Sequence, residues 1–177
     1  MKAALFAFAA AALFAGAAHA ETAADMVARF ATRVCMPSVE TLTAPETLPE
    51  GGAAMTADQK KKMGMDQRTT AWIYPASDDK VVLEMGPGGC NVIAQNTGDE
   101  SYLKTLEAAL ATTYPHSYVE TDEPTGKGLR WRNYVVPLAK PNPVGARAEA
   151  LSVTYSTKQT PAGGRMFYVG VLESQKR

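Results

Sequence analysis

Apolar residues recur along this chain with two different periods, and the switch between them marks out the elements. Near the start, Ala23, Val27, Phe30, Ala31 and Val34 fall three or four residues apart and share one helical face. Thr22-Ala-Ala-Asp25 is a capping box that opens this helix, and Asp25 also suits the positive end of its dipole. Pro37, just past Cys35, is expected to end it. Residues 37–55 hold three prolines and the Gly51-Gly52 pair, which reads as an irregular surface excursion. Thr56-Ala-Asp-Gln59 is a second capping box. It starts a short helix that carries Lys60, Lys61 and Lys62 on a solvated face and stops at Gly64.

From Thr70 the period falls to two. Trp72 and Tyr74 share one side of a strand over Ala71–Pro75, and a turn at Ser77-Asp78-Asp79 follows. Val81, Leu83 and Met85 then alternate with Val82 and Glu84. Gly86-Pro-Gly-Gly89 turns the chain into a third strand, Cys90–Gln95, in which Cys90 shares a face with Val92 and Ala94. Thr97-Gly-Asp-Glu100 caps a second long helix, with Tyr102, Leu103, Leu106, Ala109 and Leu110 at helical spacing, ending near Thr113 before Pro115.

Strands and turns make up the rest. A weak strand covers His116–Thr121. In the next, Leu129, Trp131 and Val135 alternate against Arg130, Arg132 and Tyr134. Over Glu149–Thr157, Leu151, Val153 and Tyr155 face one way and Ser152, Thr154 and Ser156 the other, the mark of a half-buried antiparallel strand. Gly163-Gly164 leads into Met166–Leu172, apolar on both faces and so suited to a central strand. The order is helix, short helix, three strands, helix, four strands. Hairpin-length connections make the sheet mainly antiparallel. The expected fold class is α+β, with the two amphipathic helices packed on one face of that sheet. No sequence repeat is visible.

Composition bears chiefly on location. Lys2 precedes an apolar run from Ala3 to Ala18, and Ala18-His19-Ala20 supplies small residues at −3 and −1 of a cut before Glu21. Residues 1–20 are therefore expected to be a signal peptide and 21–177 a single domain. The run is short and rich in alanine, and no later one approaches the ~20 residues that span a bilayer, so no membrane span is expected. The short basic start points to the bacterial periplasm, with outright secretion the alternative. Lys and Arg total 18, balanced by 18 Asp and Glu, so no overall field draws the chain to nucleic acid.

An oxidising compartment changes the reading of Cys35 and Cys90, the only two cysteines. They allow one intramolecular bond, which would stabilise the fold by roughly 4 kcal/mol in the chain-entropy model. The alternative is two free thiols, which would permit a nucleophile pair of Cys90 with His116, the sole histidine past the signal. No Cys-x-x-Cys supports a thioredoxin-type site.

Other chemistry is thinly represented. No cluster has the makeup of a zinc or iron site, and the two thioethers of Met63-Gly-Met65 are too few for copper, so neither metal nor cofactor is expected. Gly86-Pro-Gly-Gly89 lacks the Lys-Ser/Thr and the helix of a phosphate loop. The best candidate surface is the wet face of the C-terminal sheet. If the two strands are neighbours, Arg130, Arg132, Ser152, Thr154 and Ser156 could share it and suit a carboxylate, phosphate or sugar acid. The expectation is a non-enzymatic domain that binds an envelope protein or a small anionic ligand. The alternative is a hydrolase whose dispersed site uses carboxylates and His116, and no catalytic residue can be named.

Phe30-Ala-Thr-Arg-Val-Cys35 and Gly88-Gly-Cys-Asn-Val92, together with the export signal and the later helix, are similar to small uncharacterised bacterial periplasmic proteins. The resemblance implies a structural disulfide and nothing about activity.

Overall fold

A computed structural model describes residues 21–45, 47–86, 89–94, 100–126, 128–157 and 167–172 of the protein. The expected export signal, most of the expected third capping box and the Gly163-Gly164 turn lie outside the described residues. The fold is α+β. Helices α1 (Ala23–Phe30), α2 (Met36–Thr41), α3 (Ala57–Lys62) and α4 (Glu100–Thr113) accompany an eight-stranded sheet. Its strands are β1 (Ala53–Ala54), β2 (Thr70–Pro75), β3 (Lys80–Gly86), β4 (Gly89–Ala94), β5 (Tyr118–Gly126), β6 (Leu129–Pro137), β7 (Ala148–Ser156) and β8 (Phe167–Leu172). No helix among the described residues is long and apolar enough to cross a membrane.

Every neighbouring pair is antiparallel, in the order β1-β2-β3-β4-β8-β7-β6-β5. Two meanders thus meet at their last strands, β4 and β8, where Val92 lies opposite Val169. Each meander follows a helix in the chain, so the topology repeats although the sequence does not. The two helical segments lie on the same face of the sheet. Phe30 of α1 meets Tyr74 of β2 edge-on at 4.7 Å between ring centroids, and Tyr102 of α4 meets Phe167 of β8 at 5.5 Å. Val81, Leu83, Val92, Leu151, Val153, Val169 and Val171, all buried, floor the shared core beneath them.

The first helix does not stop at Pro37. A π-turn, Ala31–Cys35, runs directly from α1 into α2, so the rod continues to Thr41. The amide of Met36 bonds to the carbonyl of Ala31, five residues back. Pro37 then sits in the first turn of α2, where no amide donor is required, so proline is tolerated there. Ser38 helps by donating its hydroxyl to the carbonyl of Val34 at 2.7 Å. The rod ends at Leu42, which takes the left-handed conformation (φ 55°) that closes a Schellman turn. Cys35 is therefore inside the rod, not at its end.

The excursion that follows contains one element the sequence concealed. Ala53 and Ala54 form β1 opposite Ile73 and Trp72. Gly52 passes directly over Tyr74, where a Cβ would stand 2.4 Å from Cζ of the ring. The ring is buried and its hydroxyl has no hydrogen-bond partner among the described residues. Thr56 and Gln59 form the expected capping box of α3, with reciprocal bonds of 3.2 and 2.8 Å.

Cys35 and Cys90 are bonded, with an S–S distance of 2.03 Å, and both are buried. The bond ties the helical rod to β4 at the centre of the sheet. Replacing either cysteine by serine should lower stability by about 2–5 kcal/mol in urea unfolding, and the denatured, unreduced wild type should show no titratable thiol. Tyr74→Phe should act in the opposite direction. Removing a buried hydroxyl that lacks a partner should raise stability by about 1 kcal/mol in the same assay.

Candidate functional site

Strand parity decides where the candidate anion-binding residues go. The expected neighbours are indeed paired, β6 with β7, but Arg130 stands opposite Tyr155 and Arg132 opposite Val153. Ser152 and Thr154 stand opposite Asn133 and Trp131, on the other face. The arginines and these hydroxyls therefore do not share a surface. Tyr134 and Val136, both buried beneath the helices, set the parity of β6, and alternation puts Arg132 and Arg130 on the same side as Tyr134. Trp131, opposite Thr154, faces away from the helices.

On that outer face Ser152 donates to Asn133 at 3.0 Å, and Asn133 donates to Glu120 at 2.9 Å. The row continues across the sheet, where Asn91 and Thr69 donate to the two carboxylate oxygens of the buried Glu84, at 2.9 and 2.8 Å. Tyr168 donates to Asn91 at 2.6 Å. These polar groups satisfy one another.

The arginines on the helix side meet carboxylates from two other elements. Asp122 of β5, opposite Arg132, accepts from Nε of Arg130 and from Nη2 of Arg132, each at 2.5 Å. Glu107 of α4 accepts from Nη1 of Arg132 at 2.5 Å and from the hydroxyl of Tyr134 at 2.8 Å. The chain of bonds locks α4 to the outer half of the sheet. Hydrogen bonds from Arg130 and then Arg132 hold the Asp122 carboxyl below the usual carboxylate range. Burial works against the Arg132 cation, but its bonds with Asp122 and Tyr134 outweigh this and raise it above the ordinary arginine value. Burial, reinforced by Glu107, pushes the Tyr134 hydroxyl up.

Beside this network an open cleft of about 600 Å³ lies between the first turns of α4 and strands β6 and β7. Its lining includes Ser101, Lys104, Arg130, Arg132, Tyr155 and Ser156. Among the described residues, three cations line it against a single carboxylate, Glu100. Asp122 occupies only the Nε edge of Arg130; among the described residues its two terminal amino groups remain unclaimed by any protein acceptor. Lys104 is exposed and has no ion pair among the described residues. A planar guanidinium fork beside a mobile ammonium is a suitable receptor for a carboxylate or phosphate.

Of the residues singled out in the sequence, Arg130, Arg132 and Ser156 come together here; Ser152 and Thr154 do not. Lys104 and Ser101 carried no signal of their own, because they join the arginines only through the packing of α4. Cys90 is tied to Cys35, which removes the nucleophile pair with His116; the histidine lies exposed in the turn between α4 and β5. No group of three or more metal-ligating side chains is found among the described residues. In comparisons with known proteins, no family model, curated protein or solved structure matches the chain.

The network has a pH signature. A carboxyl whose folded pKa lies below its unfolded value of about 3.9 stabilises the fold fully above about pH 4 and loses that contribution as pH falls through the folded value. Asp122→Asn should therefore be less stable than wild type at pH 7, by about 1–3 kcal/mol for the arginine contacts it weakens. The difference should shrink as urea melts are taken below about pH 4.

Proposed function

We propose that the protein is an exported, periplasmic binding domain, without catalytic activity, that takes a small anionic ligand in the cleft between α4 and β6–β7. The observation that carries this reading is the set of three cations, Lys104, Arg130 and Arg132, lining one open cleft against one carboxylate among the described residues. The size of the cleft falls in the range usual for small-molecule sites, about 300–1,000 Å³. Arg132 is committed to Asp122 and Glu107 and acts as the scaffold. Arg130 and Lys104 are the groups left to meet the ligand. The location rests on the signal-like first twenty residues, with which the Cys35–Cys90 bond is compatible.

Thermal denaturation with inorganic phosphate, citrate or a sugar phosphate tests the reading. A ligand present at 100 times its Kd should add about 2.7 kcal/mol of stability. At least one of these anions should raise the Tm saturably at millimolar concentration. The gain should disappear in the Lys104→Gln, Arg130→Gln double variant, which should still unfold cooperatively, with a Tm lowered only by the loss of the Arg130–Asp122 pair. No stabilisation by any of the three would overturn the proposal.

A further inference from the structure

A second concave site lies on the other half of the molecule. The end of α2 and the turn after it form its wall, through Ser38, Val39 and Leu42. Trp72, Met85 and Cys90, from β2, β3 and β4, form its floor. The volume is about 480 Å³, and among the described residues no charged side chain lines it. Hydroxyls of Ser38, Thr43 and Thr70 are the polar side-chain groups in the lining. This is the makeup of a site for a small apolar molecule: mostly hydrocarbon walls and a few hydroxyls to orient one polar end.

Two features fit the pocket for binding. Its wall and floor belong to the two elements that the Cys35–Cys90 bond joins, so their separation is held before any ligand arrives. Such preorganisation removes part of the ordering cost of association. Leu42, in turn, is a large apolar residue left 40% exposed at the pocket, on a left-handed backbone that asparagine or glycine adopts more readily.

We infer that this pocket binds an uncharged, single-chain amphiphile, with its alkyl chain on Trp72, Met85 and Leu42 and a hydroxyl head that donates among Ser38, Thr43 and Thr70, the first two of which already spend their own protons on Val34 and Thr41. A fatty carboxylate is disfavoured because no cation among the described residues lines the pocket to receive it. A protein partner is disfavoured because a stable interface needs roughly 800 Å² per partner, more than this hollow offers. The site does not depend on the anion cleft.

The chain has two tryptophans, Trp72 and Trp131, so Trp131→Phe leaves Trp72 as the single reporter. Bromodecanol should quench Trp72 fluorescence in this variant saturably, in the micromolar range and below its solubility limit. Bromodecanoate should bind at least tenfold more weakly. Leu42→Asn, added to the same variant, removes the apolar wall at a backbone position asparagine tolerates. It should keep the Tm and weaken bromodecanol binding at least tenfold. Absence of saturable quenching would overturn the inference, as would equal binding of the carboxylate. Unchanged affinity in a folded Leu42→Asn protein would also overturn it, by placing the quencher elsewhere. If that variant fails to fold, Ala44→Phe, at an exposed position in the lining, serves in its place and should block the pocket to the same degree.

Discussion

The pairing of β4 with β8 makes one sheet out of two meanders, and the rest of the structure follows from where that seam lies. Val92 opposite Val169 and Cys90 opposite Val171 put the densest apolar strip under the helical rod. The disulfide anchors the rod to the same strip. With the core fixed at the seam, the flanks are free to differ. One flank carries the apolar hollow under α2, and the other the charged cleft under α4. The face not covered by α1, α2 or α4 closes its own polar groups into hydrogen-bonded pairs and chains.

Local periodicity revealed much of this. The faces of α1 and α4, the capping box of α3, the antiparallel strands and the side of Cys90 all come from spacing within a few residues. What spacing could not supply is the outcome of contacts between distant segments. Pro37 reads as a stop because sequence alone does not show the π-turn that precedes it. Ala53-Ala54 has no strand signature; it is a strand because Ile73 and Trp72 stand beside it. The side occupied by Arg130 and Arg132 was misjudged for a similar reason. In Leu-Arg-Trp-Arg-Asn-Tyr-Val-Val, both alternating sets contain aromatic and aliphatic residues. Only the helix above β6, with Glu107 reaching Arg132, decides between them.

The charged cleft illustrates how a site can be built from residues that look ordinary one at a time. Buried arginines stabilise a fold only when their partners are well placed, because the desolvation cost can exceed the attraction. Here Arg132 receives two carboxylates and serves as a fixed post. Arg130 shares one of those carboxylates through its Nε alone and lines the cleft. Rigidity and availability are thus divided between two residues of the same strand, two positions apart.

Both cysteines belong to the first meander and its helix, whereas the strand that completes the sheet comes last. Asn91 and Tyr168, which bond across the seam, are 77 residues apart. The first half of the chain can therefore be covalently closed while β4 still presents an unpaired edge. Until β8 is made, such an edge offers its amides and carbonyls to any extended segment, including one from another copy of the chain. Early oxidation would shorten the conformational search of the first half without protecting its edge. The order of synthesis thus leaves the interval before β8 arrives as the period of greatest vulnerability to misassembly, and a chaperone that covers strand edges would act most usefully then.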